Sequence, residues 1–200
     1  MMLHSGSENY IILRRQIEKL CPIPDPDWQL LLPFIREVFV KKGHYLVREG
    51  DRATDVGIII EGQMRHFYTR DGEEKTTYFY FEHAFVSAYI SCITGRPSLV
   101  SIDALADTRL LVFPYARLRE LFEHSIYWER FGRLVAEWAM MGLEDRMVGL
   151  LTQSPEERYV SLLNSNKTKI IERIPQHLIA NYLGVTPVSL SRIRNRVVKK

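Results

Sequence analysis

The sequence predicts a mixed α+β fold in which a β-barrel or β-roll is followed by a long helix and a C-terminal helix-turn-helix. Short runs rich in Val, Ile, Tyr and Phe, separated by glycines, fill residues 38–114. A helical pattern then continues over residues 115–153. The last part, residues 154–200, holds two short helical patterns that meet at a glycine.

The composition is that of a folded chain without a secretion or membrane signal. Of the 200 residues, 46% are hydrophobic and 26% are charged, and the sequence has no low-complexity segment or short repeat. The N-terminus lacks a continuous apolar segment followed by a small-residue cleavage site, and no run of about 18 apolar residues occurs elsewhere. We therefore expect a cytoplasmic protein with no membrane partner.

The two cysteines, Cys21 and Cys92, are far apart in sequence and have no C-x-x-C partner. An iron–sulfur cluster needs about four thiolates, and a structural zinc site needs a comparable set of ligands. The H-E-x-x-H, G-x-S-x-G, Walker A and G-x-G-x-x-G motifs are also missing from the sequence. We expect no metal site, no iron–sulfur cluster, no catalytic residues and no enzyme activity.

The predicted domains begin with an N-terminal segment, residues 1–27, and a β domain, residues 28–114. Asp27 is placed to cap a short helix that opens the β domain. Within the β domain, the pair Asp71 and Gly72 between Tyr-rich runs predicts a two-residue hairpin turn. Several short strands at close spacing, with glycines at the turns, favour a barrel or roll.

Residues 115–153 are predicted to form connecting helices, a short one followed by a much longer one. The apolar residues of the longer helix fall near a single stripe: Phe131, Leu134, Val135, Trp138, Met141, Val148 and Leu151. Gly132, Gly142 and Gly149 each cost about 1 kcal/mol relative to alanine inside a helix, so we expect another backbone to approach closely there. The helix is either a dimer contact or a cover for the open side of its own β domain.

Residues 154–200 are predicted to form a small domain with its own charge. Ser154 and Glu157 have the spacing of a capping box, with Pro155 in the first turn. This domain has nine basic and three acidic residues, a net charge of +6, while the rest of the chain carries −3. A basic module on a mildly acidic body indicates a polyanion partner.

Within this domain, the stretch HLIANYLGVTPVSLSRIR predicts a helix-turn-helix. Gly184 supplies the positive φ that ends the first helix, and Ala180 is small where a second helix would cross. Thr186 caps a second helix at about residues 186–198, with Pro187 at its first position.

The second helix is predicted to bind DNA in the major groove. Leu190 and Ile193 face the core, which leaves an outward side of small, hydrogen-bonding and basic groups suited to base edges and phosphates. The predicted DNA-binding residues are Thr186, Pro187, Val188, Ser189, Ser191, Arg192, Asn195, Arg196 and Lys199. The alternative is a ligand-binding or oligomerisation module that binds no DNA and whose basic tail is coincidental.

Four segments carry a likeness to a known family: KKGHYLVREGD, EGQMRHFYTRDGEEK, SPEERYVSLL and IPQHLIANYLGVTPVSLSRIR. In these segments and in the order of its elements, the chain resembles the cyclic-AMP receptor protein and fumarate-nitrate regulator family of bacterial transcription factors, from about Trp28 to Lys200. The resemblance implies a double-stranded β-roll of the cyclic-nucleotide-binding type that senses an effector. It also implies a homodimer joined by the long helix, with double-stranded DNA bound at two half-sites about one helical turn apart, and RNA polymerase as a candidate partner.

The effector site departs from the cyclic-nucleotide binders of that family. Those proteins have a glycine–glutamate pair followed by an arginine and a serine or threonine, and the arginine neutralises the cyclic phosphate. Here VSA at 86–88 stands at the first pair and SL at 98–99 at the second. We therefore expect no cyclic AMP, and either another effector or a scaffold role for the roll. The candidate pocket residues are Ser87, Ala88, Ser91, Arg96, Ser98 and Leu99.

The recognition helix departs from the family as well. Relatives that bind a guanine-rich half-site have an arginine and a glutamate early in this helix, where Pro187 and Val188 stand here, while Arg192 matches a later family arginine. The resemblance implies a different target sequence, with Val188 against a thymine methyl group and Arg192 against a guanine. The wing that follows in many relatives is expected to be reduced to residues 167–174 or to be missing. Phosphate contacts then depend on Lys167, Lys169, Arg194, Arg196, Lys199 and Lys200.

Overall fold

The computed structural model describes residues 8–165 and 168–198, which form two antiparallel sheets with helices on both sides of the pair. The helices are α1 (Glu8–Glu18), α2 (Asp25–Leu31), α3 (Tyr89–Thr94), α4 (Tyr115–His124), α5 (Ile126–Thr152), α6 (Pro155–Asn164), α7 (Thr168–Arg173), α8 (Gln176–Leu183) and α9 (Pro187–Val198). The strands are β1 (Arg36–Val40), β2 (Tyr45–Val47), β3 (Asp55–Glu61), β4 (Met64–Arg70), β5 (Glu73–Tyr80), β6 (Phe85–Val86), β7 (Ser101–Ala104) and β8 (Thr108–Pro114). Across these described ranges, no helix combines the length and the apolar character that crossing a membrane requires.

The two sheets form the predicted β-roll. Their strand orders are β1-β8-β3-β6 and β2-β7-β4-β5, and the neighbouring strands are antiparallel. The facing sides bury one core, to which Ile59 and Leu110 contribute from the first sheet and Met64 and Ile102 from the second. Gly57 lets β3 lie close to β8, because a Cβ at this position would be 2.9 Å from a carbonyl oxygen of β8.

The β4–β5 hairpin has the predicted two-residue turn. Arg70 pairs with Glu73, and Asp71 and Gly72 between them have φ angles of 53° and 80°. Positive φ at both positions is the type I′ geometry, whose twist matches that of the flanking strands. β5 is an edge strand of its sheet, so the backbone groups along its outer side lie outside the ladder of the sheet.

Helices cover the outer face of the first sheet. α1 was not among the predicted elements, although it buries Tyr10, Leu13 and Ile17 on one helical face. α2 begins two residues before Asp27 with Pro24 at its N-cap position, so the prediction that Asp27 caps it is wrong. The carboxylate of Asp27 lies instead in the first turn of α2, where the positive end of the helix dipole favours a negative charge.

The predicted long helix is α5, and its first turns pack into the same layer. Trp128 and Phe131 are buried, and the Trp128 ring lies 5.4 Å from that of Trp28, centroid to centroid, in an edge-to-face arrangement. A Cβ at Gly132 would lie 2.6 Å from the ring of Phe122. The close neighbour of this glycine is therefore a side chain of α4, and the prediction of a second backbone is wrong at this position.

A helical domain of α6 to α9 packs against β5, the edge strand of the second sheet, and against Phe81 and Leu105. It begins with the predicted capping box: the Ser154 hydroxyl accepts the Glu157 N–H at 3.3 Å, and the Glu157 carboxylate accepts the Ser154 N–H at 2.7 Å. The domain core is continuous with the roll, because Phe79 of β5 belongs to the same cluster as Ile179 and Leu183 of α8.

The segment considered as a reduced wing is helical. Of residues 167–174, the structure describes 168–174, and α7 occupies all but the last of them; Lys167 lies outside the described residues. Ile170 and Ile174 are buried in the core of the helical domain. Their spacing of four residues matches one face of a helix, which is the physical reason that this segment is no strand.

Candidate nucleic-acid interface

α8 ends in a turn that fixes the start of α9. Gly184 has a φ of 71°, which glycine adopts without steric penalty. Its N–H donates to the Asn181 carbonyl at 3.0 Å, and the Val185 N–H donates to the Ala180 carbonyl at 2.9 Å. These bonds satisfy carbonyls that the helix end would otherwise leave unpaired.

Thr186 caps α9 as predicted. Its Oγ1 accepts the Ser189 N–H at 3.2 Å, and its hydroxyl donates to Ser189 Oγ at 3.0 Å. Pro187 is the first residue of the helix. Leu190 and Ile193 are only 1% and 4% exposed, so the core side of α9 is the one that the sequence predicts and the opposite side faces solvent.

The solvent-facing side of α9 contains most of the predicted DNA-binding residues. Val188 is 62% exposed, whereas Ser189 is half-buried with its hydroxyl bonded to Thr186. Lys199 lies outside the described residues. The exposed members of the set are Thr186, Pro187, Val188, Ser191, Arg192, Asn195 and Arg196. They combine small, hydroxyl, amide and guanidinium groups on one surface.

Two of the basic side chains on α9 are held by neighbouring helices. Arg194 donates to the carboxamide of Gln176 at 2.8 Å, and Arg196 donates to the carboxylate of Glu156 at 2.9 Å. Arg192 is exposed. The partner of Arg194 is a neutral carboxamide and that of Arg196 is a carboxylate, and both contacts orient the guanidinium groups on α9.

Two arginines hold the C-terminal end of α8. Arg146 of α5 donates to the Tyr182 carbonyl oxygen, and its guanidinium lies 3.9 Å from the centroid of the Tyr182 ring. Arg158 of α6 donates to the Leu183 carbonyl oxygen at 3.1 Å. Both satisfy terminal carbonyls and place positive charge where the helix dipole favours it. Sequence patterns do not show this role, because a capping arginine and a solvated arginine occupy similar helical positions.

The roll places three of the predicted effector residues inside its own packing. Ser91 and Ser98 are each 3% exposed, and their hydroxyls donate to the carbonyl oxygens of Arg96 and Val100 at 2.6 and 2.8 Å. Ala88 is also 3% exposed and belongs to the roll core. These side chains stabilise the segment between β6 and β7, which includes α3.

The other three predicted effector residues are separated from one another. Ser87 lines a cavity of about 360 Å³ whose walls combine aliphatic residues with charged ones, Arg52 among them, and its hydroxyl donates to the Asp55 carbonyl oxygen at 3.0 Å. Arg96 is exposed, and Leu99 is 72% exposed. Neither residue lines this cavity. The six residues therefore do not converge on one pocket.

The roll also contains a histidine that the sequence does not single out. His66 of β4 pairs with Tyr78 of β5 and lies 6.4 Å from the ring of Tyr80, centroid to centroid, which packs against the roll core. Burial lowers the pKa of His66 to about 4. Its imidazole is therefore neutral at neutral pH. A single histidine among apolar residues fits many environments, so the pattern carries little signal.

The described part of the chain contains no group of three or more His, Cys, Asp or Glu side chains that could hold a metal ion. Cys21 and Cys92 are free thiols, the first buried and the second half-buried. Burial raises the pKa of Cys92, which disfavours the thiolate that metal binding needs.

Known proteins are similar to this chain in sequence and in fold. Residues 37–125 match the family model of the cyclic nucleotide-binding domain. The transcriptional activator protein Anr of Pseudomonas aeruginosa is 26% identical over 168 residues, which cover 78% of this chain and 68% of Anr. The structure of FixK2 from Bradyrhizobium japonicum has a TM-score of 0.69 at 18% identity and covers 82% of this chain and 85% of its own.

A further solved structure, a transcriptional regulator of the crp/fnr family from Eubacterium rectale, also has a TM-score of 0.69, at 21% identity. It covers 88% of this chain and 85% of its own, more than the β-roll alone can account for. The likeness therefore extends from the cyclic nucleotide-binding domain into the helices that follow it. In sequence and in fold, the chain is therefore similar to transcription regulators of the cyclic-AMP receptor protein and fumarate-nitrate regulator family.

Proposed function

We propose that the protein is a homodimeric, sequence-specific DNA-binding regulator of transcription that inserts α9 into the major groove. The exposed side of α9 carries this proposal, because its groups are those that contact base edges and phosphates. RNA polymerase is the further partner, and the protein has no catalytic activity. The similarity to the activator Anr supports this function.

The residues of α9 have different roles in the proposed complex. Val188, near the start of the helix, contacts a thymine methyl group, and Arg192, one turn later, donates to a guanine. Arg194 and Arg196 contact phosphates, which position the helix without specifying sequence. The target therefore differs from that of relatives with an arginine and a glutamate at the first positions of this helix.

The two chains of the dimer meet along α5. Beyond its buried first turns, the helix exposes large apolar side chains: Trp138, Met140, Met141, Leu143, Met147, Val148, Leu150 and Leu151, each at least 45% exposed. An apolar surface of this extent is typical of a protein interface. Apart from the neighbouring backbone of α5 itself, no described atom lies within 4 Å of a Cβ built at Gly142, which leaves space for a second helix to approach closely.

The roll does not bind cyclic AMP in this proposal. A buried phosphate needs a paired cation, and the position of the family arginine is occupied by Ser98, which is buried and bonded to a backbone carbonyl. The position of the family glutamate falls within VSA at 86–88, where Ala88 is packed in the core. The roll serves either as a scaffold or as the site of another effector.

Fluorescence anisotropy with labelled DNA from the upstream region of the protein's own coding sequence tests the proposal. We expect tight binding without cyclic AMP and a linear fall of log affinity with log salt concentration. Binding that requires cyclic AMP would contradict the interpretation of the effector site. A lack of binding at low salt would favour the alternative, a ligand-binding or oligomerisation module.

A further inference from the structure

The side chain of Asn181 in α8 pairs with the edge of the β-roll. Its Oδ1 accepts the N–H of Thr76 at 2.7 Å, and its Nδ2 donates to the carbonyl oxygen of Glu74 at 2.7 Å. Both backbone groups belong to β5, the edge strand, and point to the same side of it. The carboxamide therefore occupies the place that the peptide group of a neighbouring strand would take.

Aromatic packing continues this contact. Phe79 of β5 is 4% exposed, and its ring lies 5.5 Å from that of Tyr182 in α8, centroid to centroid. Phe81 and Leu105 pack against the same cluster from the roll. The roll thus completes the core of the helical domain, so the position of α8, and through its turn that of α9, depends on β5.

Glu82, which lies shortly after β5, binds two cations of the helical domain. Its carboxylate accepts hydrogen bonds from Lys169 at 3.0 Å and Arg173 at 2.8 Å. Partial burial alone would raise the pKa of Glu82, but the hydrogen bonds from Arg173 and Lys169 outweigh it and lower this pKa to about 2. Glu82 and its two cationic partners are therefore all charged at neutral pH.

We propose that these contacts form an autoinhibitory clasp, in which Asn181 and Tyr182 of α8 and Lys169 and Arg173 of α7 are held against β5 and Glu82. The clasp fixes the helix-turn-helix on the roll and withholds two cations per chain from DNA phosphates. This inference rests on the proposed function, since it concerns the regulation of the same DNA-binding surface. Opening the clasp frees the helical domain to settle on DNA.

β5 connects the clasp to the interior of the roll. One face of the strand carries Phe79, which packs against the helical domain, and the other carries Tyr80, which packs against the roll core. A change in the packing of the interior therefore acts on the strand that holds α8. This gives the roll a physical route to the DNA-binding domain, whether the change comes from an effector or from a shift of the partner chain.

Glu82→Gln in the full-length protein tests the ionic part of the clasp. The variant keeps the size of the side chain and removes the charge that holds Lys169 and Arg173. Its binding to a labelled duplex of about 40 base pairs, long enough for two half-sites, is measured by anisotropy over a range of salt concentrations. We expect binding on the order of tenfold tighter at low salt, and a salt slope steeper by up to about 1.8 per chain.

Glu61→Gln is the matched control. It removes the same charge from the roll, where Glu61 pairs with Arg109 at 2.9 Å, without touching the helical domain. We expect its affinity and salt slope to stay close to those of the wild type. Equal gains in both variants would show a general charge effect and overturn the clasp.

Hydrogen exchange at the Thr76 amide reports the clasp without DNA. This N–H is bonded to Asn181, so we expect it to be protected in the wild type and to exchange faster in Asn181→Ala. An unprotected Thr76 amide in the wild type would overturn the clasp. So would a Glu82→Gln variant that binds DNA no more tightly than the wild type.

Failure of the proposed function gives a different result. In that case neither the wild type nor either glutamine variant binds duplex DNA at low salt, even where the Thr76 amide is protected. The helical domain would then contact the roll as described, but the protein would have no affinity for DNA that this contact could reduce. The inhibitory role of the clasp would be overturned together with the proposed function.

Discussion

The helix-turn-helix and the effector loop of the roll use the same kinds of polar side chain in opposite ways. At the start of α9, the Thr186 hydroxyl caps the helix, and exposed groups such as Ser191 and Arg192 remain directed to solvent. In the roll, the hydroxyls of Ser91 and Ser98 are buried and bonded to carbonyl oxygens of their own segment between β6 and β7. The first region leaves polar groups free for a partner, whereas the second uses them to stabilise itself.

This difference shows why one function can be inferred from residue type and the other cannot. A serine in the sequence is the same whether it faces a ligand or closes a turn. On a short capped helix the facing direction follows from the 3.6-residue period. In a loop between strands, it depends on which backbone groups need a partner.

The largest effect is expected from placing a glutamate in the segment VSA at 86–88, within which the family glutamate falls. Ala88→Glu would bury a carboxylate at a position that is 3% exposed and packed among aliphatic residues of the roll core. We expect the free energy of unfolding to fall by about 3 kcal/mol or more, with no cyclic AMP binding by calorimetry. Leu99→Glu, in the same loop but 72% exposed, is the matched control and should change stability by less than about 0.5 kcal/mol. Equal stability of the two variants would contradict the assignment of this loop as self-supporting.

The half-buried His66 predicts a loss of stability in mild acid. Burial lowers its pKa to about 4 in the folded chain, from 6.5, so the unfolded state binds more protons between these values. The free energy of unfolding therefore falls as pH decreases through this window, by up to about 3 kcal/mol. Urea unfolding at several pH values, compared between the wild type and His66→Leu, measures this term. A variant that loses as much stability as the wild type would show that other groups cause the acid sensitivity.

On the DNA-binding side, Arg192→Ala separates base contact from phosphate contact. If Arg192 donates to a guanine, its removal should weaken operator binding by about 1 to 3 kcal/mol and relax preference at one base position. Arg109→Ala, an exposed arginine of the roll that pairs with Glu61, is the control for charge. Uniform weakening across all sequences, measured by competition with a panel of variant duplexes, would assign Arg192 to phosphate instead.

The features that the sequence predicts correctly are those set by near neighbours in the chain. The turn at Asp71 and Gly72, the capping box at Ser154 and the break at Gly184 each depend on a backbone conformation or bond within a few residues. Such features follow from residue type and spacing. For the same reason α9 is predicted with its core side correctly assigned.

The features that were not predicted depend on contacts between distant parts of the chain. Asn181 bonds to Thr76 across 105 positions, and Arg146 reaches Tyr182 across 36. No local pattern distinguishes these side chains from solvated ones. The sequence leaves open whether residues 167–174 form a reduced wing or the wing is missing, and the helix α7 follows from the burial of Ile170 in a core that the roll completes.

The smallest effect is expected at the cap of α9, and it tests whether local bonds alone position this helix. Thr186→Ala removes the acceptor of the Ser189 N–H and should lower the free energy of unfolding by about 1 kcal/mol. Ser191→Ala, an exposed hydroxyl within the same helix, is the control and should change stability by less than about 0.5 kcal/mol. If the cap positions α9, Thr186→Ala should also weaken DNA binding at constant salt slope, because no cation is lost. A stability loss with unchanged DNA affinity would instead show that the contacts of α8 with Arg146, Arg158 and the roll hold α9 in place.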